Sequence, residues 1–239
     1  MKNLKQIGVI IICLGITACA DGQFRKTVHG NGKVVSKERT PEKASGVRAS
    51  SGIDIYLTQG NKPRLVVEAD ENLHEYIITE VSNGVLNVYT DANIRDAEMK
   101  KVYVTLEEIN TISASSAGDV FGETPVKTDD LRISASSAGD IKIEVYAESI
   151  DANISSSGDV TLSGEADVLE ADLSSAGDLN AYDLKVREAD VSVSSAGGAD
   201  IFVTDKLIAR ASGAGDINYK GDPKNVDAHS SSAGGIHRK

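Results

Sequence analysis

Aspartates recur at a regular spacing through the second half of the chain, where they could bind a cation. They end a five-residue phrase, SSAGD or a near copy: Asp119, Asp140, Asp159, Asp178 and Asp216. If every copy forms the same turn, these carboxylates stack about 5 Å apart and repel one another unless something offsets their charge. A row of oxygen ligands suits Ca²⁺, so a cation ladder is one interpretation.

The alternative is that each aspartate accepts hydrogen bonds from backbone amides that follow its own glycine. We favour this alternative because glycine replaces aspartate in two copies, at Gly198 and Gly235. The nine-residue calcium-binding repeat GGxGxD is also absent. Under this interpretation the aspartates are turn residues and bind no metal.

Serines and histidines are the other candidates for chemistry. The serines recur in rows, for example Ser136, Ser155, Ser174 and Ser194, but no His or Lys recurs beside them to act as a base. We interpret them as hydroxyl ladders. A zinc site needs ligands at tight spacing, whereas His29 and His74 are distant and His229 and His237 lie eight residues apart. The sequence therefore predicts no catalytic residue, no metal and no cofactor.

The phrase itself recurs every 18 to 21 residues, a period typical of solenoids in which each repeat is one stacked coil. Its central glycines are Gly118, Gly139, Gly158, Gly177, Gly197, Gly215 and Gly234. Glycine tolerates a backbone corner with positive φ better than any other residue. We therefore predict that these glycines are structural turn residues with φ above zero.

Apolar and polar residues alternate around each glycine. In one repeat the apolar positions are Leu131, Ile133, Ala135 and Ile141, and the intervening positions are polar. This period of two indicates a strand, and its repetition places each strand beside its counterpart in a parallel ladder. No helical stripe occurs within the units. Abundant Ala, Ser and Gly with no Trp indicate narrow coils.

The region before the repeats has a different pattern of predicted strands and turns. Residues 47–57 resemble a strand that carries a variant phrase, SSGID, and further strands are predicted at 65–69 and 102–106. Residues 70–76 form the only plausible helical turn, and 77–89 resemble two strands joined at Asn83-Gly84, a strong hairpin signal. We predict an antiparallel or mixed cap that covers one end of the solenoid, because an open end leaves strand groups unpaired.

These patterns predict an all-β fold: a right-handed parallel β-helix-like solenoid of about 20-residue coils with an N-terminal β cap. The expected organisation is a lipoprotein signal peptide (1–18), a tether (19–29), the cap and first strands (30–108) and the repeat solenoid (109–239).

The first residues have the features of an export signal. Lys2 and Lys5 precede an apolar run over 7–16, which is too short for a permanent membrane helix. The following Ile-Thr-Ala-Cys resembles a bacterial lipobox, which predicts lipidation at Cys19; cleavage at the A-x-A-like site 18–20 is the alternative. Cys13 would be removed with the signal, so no disulfide is expected.

The formal net charge of −11 argues against binding of nucleic acid or of anionic lipid surfaces. The predicted membrane contact is a lipid anchor at Cys19 in the cell envelope, on an outer-membrane lipoprotein that faces the periplasm or is exposed at the surface. The predicted partner is a surface glycan or an envelope protein, and the oligomeric state stays open.

Several short motifs together resemble the putative auto-transporter adhesin, head GIN domain family. They are Gly30-Asn31-Gly32, Glu38-Arg39, the V-x-x-S-S-G-I-D segment 47–54, the D-x-N-L segment 70–73 and the E-V-x-N-G-x-L hairpin 80–86. The family's Gly-Ile-Asn stands here as Gly52-Ile53-Asp54. The resemblance covers about residues 28–236 and implies a β-helical, surface-exposed lipoprotein of the Bacteroidetes type. It carries over no functional residues.

Three function classes follow from these observations. The favoured class is a non-catalytic cell-surface adhesin or ligand-binding module. The second is a structural or envelope-assembly spacer, and the third is a polysaccharide-active β-helix enzyme. The enzyme is disfavoured because the aspartates lie in a repeated phrase and form no unique cluster of unlike groups.

Overall fold

The computed structural model describes residues 25–239, so the predicted signal peptide, Cys13 and Cys19 lie outside the described residues. The strands are β1 Thr27–His29, β2 Val34–Arg39, β3 Gly46–Ala49, β4 Asp54–Gln59, β5 Arg64–Asp70, β6 Ile77–Ser82, β7 Val85–Thr90, β8 Asn93–Arg95, β9 Lys100–Leu106, β10 Thr111–Ser115, β11 Val120–Gly122, β12 Val126–Ser136, β13 Asp140–Ile154, β14 Asp159–Leu173, β15 Asp178–Val193, β16 Gly198–Ala211, β17 Asp216–Lys220, β18 Asn225–Ser230 and β19 Gly235–Arg238. A single 3₁₀ turn spans Glu71–Leu73.

The repeats form a continuous parallel ladder from β10 to β19. Each residue pairs with its counterpart one coil later: Ile112 with Ile133, 21 residues on, and Val191 with Ala209, 18 residues on. The long strands β13, β14 and β15 pair along most of their length. The predicted all-β solenoid is therefore confirmed.

The core is a column of apolar side chains, one set from each coil. The inward positions Ile133, Ala152, Ala171, Val191 and Ala209 are each at most 2 % exposed. Three of these five residues are alanine, because a narrow coil has little interior volume. Burial of this column is the main source of stability, at about 25 cal/mol per Å² of apolar surface.

The corner of each coil differs from the prediction at its glycine. In the repeat at 155–159 the positive φ values belong to Ser156 (52°) and Ser157 (60°), and Gly158 is not among the residues with positive φ. Gly158 donates its N–H to the Ser155 carbonyl at 3.0 Å. The glycine is thus the fourth residue of a β-turn whose two central residues are left-handed. The prediction of positive φ at the central glycines was wrong.

The reason for glycine is close stacking on the preceding coil. A Cβ atom on Gly158 would lie 2.7 Å from the carbonyl carbon of Ala135, and one on Gly177 would lie 2.9 Å from that of Ile154. The equivalent positions are equally crowded: a Cβ would meet an atom of the preceding turn or strand within 2.9 Å at Gly118, Gly139, Gly197, Gly215 and Gly234. Glycine is therefore required there by contact between coils.

The parallel ladder also extends back toward the N-terminus. Strands β3 and β4 pair in parallel with β10 and β11, so residues 46–59 form a coil of their own. Residues 47–57 are therefore two strands, not the single strand predicted. The SSGI segment between them makes the corner, with positive φ at Ser51 and Gly52.

A mixed set of strands covers the outer face of that coil. β7 and β9 continue the parallel ladder on β3 and β4, while β6 pairs antiparallel with β7, and β5 with β9 and β2. The predicted hairpin is confirmed: Ser82 pairs with Val85 across Asn83 (φ 52°) and Gly84 (φ 78°). The predicted helical turn is the 3₁₀ turn, and β1 and β8 form a separate two-stranded sheet.

Candidate ligand-binding groove

An elongated groove runs along the solenoid axis on the side of the strands that precede the turns. It extends from the coil of Ser134 to that of Ser231 and has a volume of about 630 Å³. It crosses successive strands instead of following one of them, so its floor repeats at the coil spacing of about 4.8 Å. The repeat sequence therefore determines a long, periodic surface.

Two rows of side chains line this groove. The outer row occupies the outward position five residues before each glycine: Ser134, Asn153, Asp172, Ser192, Arg210 and His229. The inner row is the first residue of each turn: Ser136, Ser155, Ser174, Ser194, Ser212 and Ser231. Each row follows from strand alternation, which turns these positions away from the buried column.

The backbone amides of the inner serines extend the hydrogen bonding between coils by one residue beyond the paired strands. Ser174 donates its N–H to the Ile154 carbonyl at 3.0 Å, and Ser231 to that of Ala211 at 2.9 Å. The Ser194 hydroxyl donates to the Leu173 carbonyl at 3.3 Å. A stack of hydroxyls held in this way offers hydrogen bonds at one spacing along the groove.

The outer row changes character along the axis. It carries hydroxyl, amide and carboxylate groups in the first coils, and a guanidinium and an imidazole in the last coils. Arg210 forms an ion pair with Asp190 at 2.8 Å, and His229 contacts Asp227 at 2.9 Å, all on exposed side chains. Residues 25–239 hold no group of three or more His, Cys, Asp or Glu side chains arranged to bind a metal. The groove offers hydrogen bonds and weak charge contacts.

The aspartate row lies on the other side of each turn, at the start of the following strand, and does not line the groove. Asp140, Asp159 and Asp178 stack in register, and the pairing of Val120 with Ile141 and with Ile55 aligns Asp119 and Asp54 with them. Burial, with added repulsion from Asp140 and Asp178, raises the pKa of Asp159. Burial also raises the pKa of Asp119, against the opposing hydrogen bond from the Asp140 amide.

The hydrogen bonding of this row differs from the local capping that was predicted. The one backbone amide bound by these carboxylates in the described part of the chain is that of Asp140, which donates to Asp119 Oδ1 at 3.0 Å. That amide belongs to the next coil, not to the same turn. At the two glycine interruptions a side chain would crowd the carboxylate of the preceding coil. A Cβ on Gly198, for example, would lie 2.9 Å from Asp178 Oδ1.

An aromatic stack on the outer face of the N-terminal coils was not predicted. Tyr56 lies between Tyr103, at a ring-centroid distance of 5.2 Å, and Phe121, at 5.5 Å. Lys101 Nζ sits 5.1 Å from the Tyr56 ring centroid. The signal was hidden because the three residues come from three separate segments, which only the register β9–β4–β11 aligns.

A buried carboxylate joins two of the motifs noted in the sequence. Asp70 is fully buried and accepts hydrogen bonds from the amides of Gly32, Glu98 and Met99 at 2.8 to 3.2 Å. Two residues on, Asn72 accepts from the Asn31 amide and donates to the His29 carbonyl. The D-x-N-L segment therefore holds the Gly-Asn-Gly segment in place, which is a structural role.

The sequence of this chain matches a known protein family. Residues 45–223 match the model described as "Putative auto-transporter adhesin, head GIN domain". The chain belongs to this family. The resemblance drawn from the sequence is thereby confirmed, and the eponymous tripeptide lies at the corner of the β3–β4 coil, where Gly52 has φ 65° and Ile53 is fully buried.

Solved structures share the fold at low sequence identity. A putative adhesin from Bacteroides fragilis is 24 % identical with a TM-score of 0.84, over 89 % of this chain and 100 % of its own. One from Parabacteroides merdae is 22 % identical, TM-score 0.73, over 90 % and 99 %. A putative lipid binding protein from Parabacteroides distasonis is 23 % identical, TM-score 0.71, over 90 % and 100 %. Comparison with curated proteins finds no match.

Proposed function

We propose that this protein is a non-catalytic adhesin of the cell envelope that binds an extended polymer along the groove. The groove itself carries the proposal: its polar rows repeat coil after coil, so a polymer with a similar repeat can make the same hydrogen bonds at each step. Many weak, equivalent contacts along one chain give avidity without a deep pocket.

The ligand class that fits these rows is a surface glycan. Hydroxyl, amide and carboxylate groups at a spacing of about 4.8 Å can pair with the hydroxyls of an extended sugar chain. Membership of a family described as adhesins supports a binding role. Catalysis is disfavoured because no His or Lys recurs from coil to coil beside the serines, and because the row of turn aspartates lies outside the groove.

The test is a glycan array probed with the purified protein and with two matched variants. Asn153 and Asn180 are both exposed asparagines on outward strand positions, but only Asn153 lines the groove. We expect Asn153→Trp to reduce binding to the glycans that retain the parent protein by about tenfold or more, because the indole fills one step of the groove. Asn180→Trp should bind like the parent, and equal loss in both variants would refute the groove.

We further propose that the protein reaches the envelope as a lipoprotein, with Cys19 diacylated at its mature N-terminus. The support is the Lys2 and Lys5 charge, the short apolar run and the Ile-Thr-Ala-Cys ending. Within residues 25–239, no helix has the length and apolar character needed to cross a membrane. A lipid anchor is the form of attachment that these sequence features favour.

Cell fractionation tests the anchor. Cys19→Ser should release the protein from the membrane fraction or block its processing, while Cys13→Ser should leave both unchanged because Cys13 lies in the removed segment. A Cys19→Ser protein that stayed in the membrane fraction at the normal mature size would contradict the proposal.

A further inference from the structure

The two ends of the solenoid are finished differently. At the N-terminal end, the antiparallel strands β2, β5 and β6 cover the ladder. At the other end, β18 pairs only with β16 and β19 only with β17, so within residues 25–239 the outer edge of both strands has no partner. An open strand edge is a template for pairing with another chain.

The last coil keeps apolar residues at inward positions although nothing covers it. Every residue of β18 is exposed, and Val226 is 48 % exposed where its equivalent Leu207 is fully buried. Ala228 continues the row of Ala209 in the same way. Terminal coils that face water normally replace such residues with polar ones, so this end has the composition of a surface that is covered.

The free backbone groups of β18 follow from its pairing with β16. Ser231 donates its N–H to Ala211, and strand alternation places the amides of Asp227 and His229 on the same side. The N–H and C=O groups of Val226, Ala228 and Ser230 therefore face away from the solenoid. They are spaced to form the hydrogen-bonded pairs of an antiparallel partner strand.

The sequence of β18 is self-complementary in an antiparallel register centred on Ala228. That register places Ala228 opposite its own copy, Val226 opposite Ser230, and Asp227 opposite His229. The side chains of Asp227 and His229 already contact each other at 2.9 Å within one strand. Two such strands would alternate acidic and basic groups on the outer face, with small and apolar residues on the inner face.

We propose that this end is a homodimer interface, in which β18 of two copies pairs antiparallel about a two-fold axis through Ala228. The occupant is a second copy because one strand supplies both halves of each pair, as an isologous interface requires. Because an isologous interface uses the same end of both copies, the assembly closes at two. The dimer is a single longer rod with a cap at each far end.

Disulfide trapping in intact cells tests this register with the full chain. In an antiparallel sheet, residues that exchange hydrogen bonds have Cα atoms about 5.5 Å apart, which a disulfide can bridge. Under mild oxidation, Ala228→Cys should give a band at twice the monomer mass that disappears on reduction. Val168→Cys is the matched control, since Val168 is also an exposed apolar strand residue but lies in mid-solenoid. The parent chain shows any background from Cys13 and Cys19.

A second pair of variants tests the interface without relying on one crosslink. Adding Val226→Asp to Ala228→Cys should reduce the dimer band by about tenfold or more, because an unpaired carboxylate would be buried between the copies. Adding Val168→Asp should leave the band unchanged. Absence of a band for Ala228→Cys, an equal band for Val168→Cys, or a crosslinked species of another mass would overturn the proposal.

Discussion

At the scale of single residues, the corner of each coil has two requirements, a left-handed backbone and close contact with the preceding coil. Different residues meet them. The turn has left-handed backbone at one or both central residues. In six of the seven repeats these are serine or alanine, for which such φ values cost about 1 kcal/mol or more each, and in the seventh Gly213 takes this position. The glycine next to them has ordinary φ and is needed for space. The pattern of glycines could be predicted from sequence, but its cause depends on how closely the coils stack.

Substitutions at one corner test this division. Gly158→Ala should destabilise the protein by more than about 1 kcal/mol, because the methyl group meets the Ala135 backbone. Ser157→Gly should stabilise it by up to about 1 kcal/mol, because glycine adopts positive φ without strain. Urea unfolding measures both changes. A stabilising Gly158→Ala, or a clearly destabilising Ser157→Gly, would contradict this division of roles between Ser157 and Gly158.

The aspartate row gives a prediction about pH. Burial and neighbouring carboxylates raise the pKa of folded Asp159 above its unfolded value. A raised acid pKa means that the folded state binds the proton more tightly, so the contribution of Asp159 to stability increases as pH falls from neutral toward about 4. Asp159→Asn should therefore raise the melting temperature at pH 7. The gain in the free energy of unfolding should be less than about 1 kcal/mol, because the group is largely exposed and its charge is screened by solvent.

Calcium distinguishes this account from a cation ladder. We expect the melting temperature of the parent protein to be indifferent to millimolar Ca²⁺ and to chelator, because ion binding to the folded state alone would raise it with concentration. The outcome against the account is a calcium-dependent rise that Asp159→Asn removes.

At the scale of elements, strand alternation and the Asn-Gly hairpin were readable because both depend on local spacing. The coil at 46–59 was missed as a coil because its corner, SSGI, has isoleucine at the position of the later central glycines. Ile55 pairs with Val120, which aligns Ile53 with Gly118. The groove was also not foreseen. Its two rows become one surface only after the ladder fixes which residues of different coils lie side by side.

The segment after the 3₁₀ turn gives a prediction about acid stability. His74 is buried and its Nε2 donates to the Val35 carbonyl at 3.0 Å. Burial, aided by the charges of Lys37 and Arg39, lowers the pKa of His74 below 6.5 in the folded state. The unfolded state then binds the proton first, so the contribution of His74 to stability is complete above about pH 6.5 and decreases as pH falls below it.

Replacement of the ring isolates this effect. His74→Gln keeps a donor for Val35 but cannot be protonated, so it should remove a slope of at most about 1.4 kcal/mol per pH unit, the linkage limit for one proton. His237→Gln, at an exposed site, should leave the slope unchanged. Unfolding measured from pH 7 to pH 5 compares the three proteins, and an unaltered slope in His74→Gln would show that another group titrates.

At the scale of the whole molecule, the all-β class, the period and the family were all predictable, because a repeated phrase specifies one coil and stacking repeats it. The fold in turn places a capped end, an open end and a periodic groove on one rod. None of the three requires chemistry at a single residue. The proposed binding function is therefore distributed over the length of the solenoid, in contrast to a site built from one cluster of residues.

Adhesion of whole cells tests this account most directly. Cells that carry the parent chain, Asn153→Trp or Asn180→Trp at equal surface abundance are allowed to settle on a panel of immobilised polysaccharides, beside cells that lack the chain. The account predicts that the parent and Asn180→Trp cells are retained on the same polysaccharides, and that Asn153→Trp cells fall to the level of cells without the chain. Equal retention of Asn153→Trp and parent cells would contradict it.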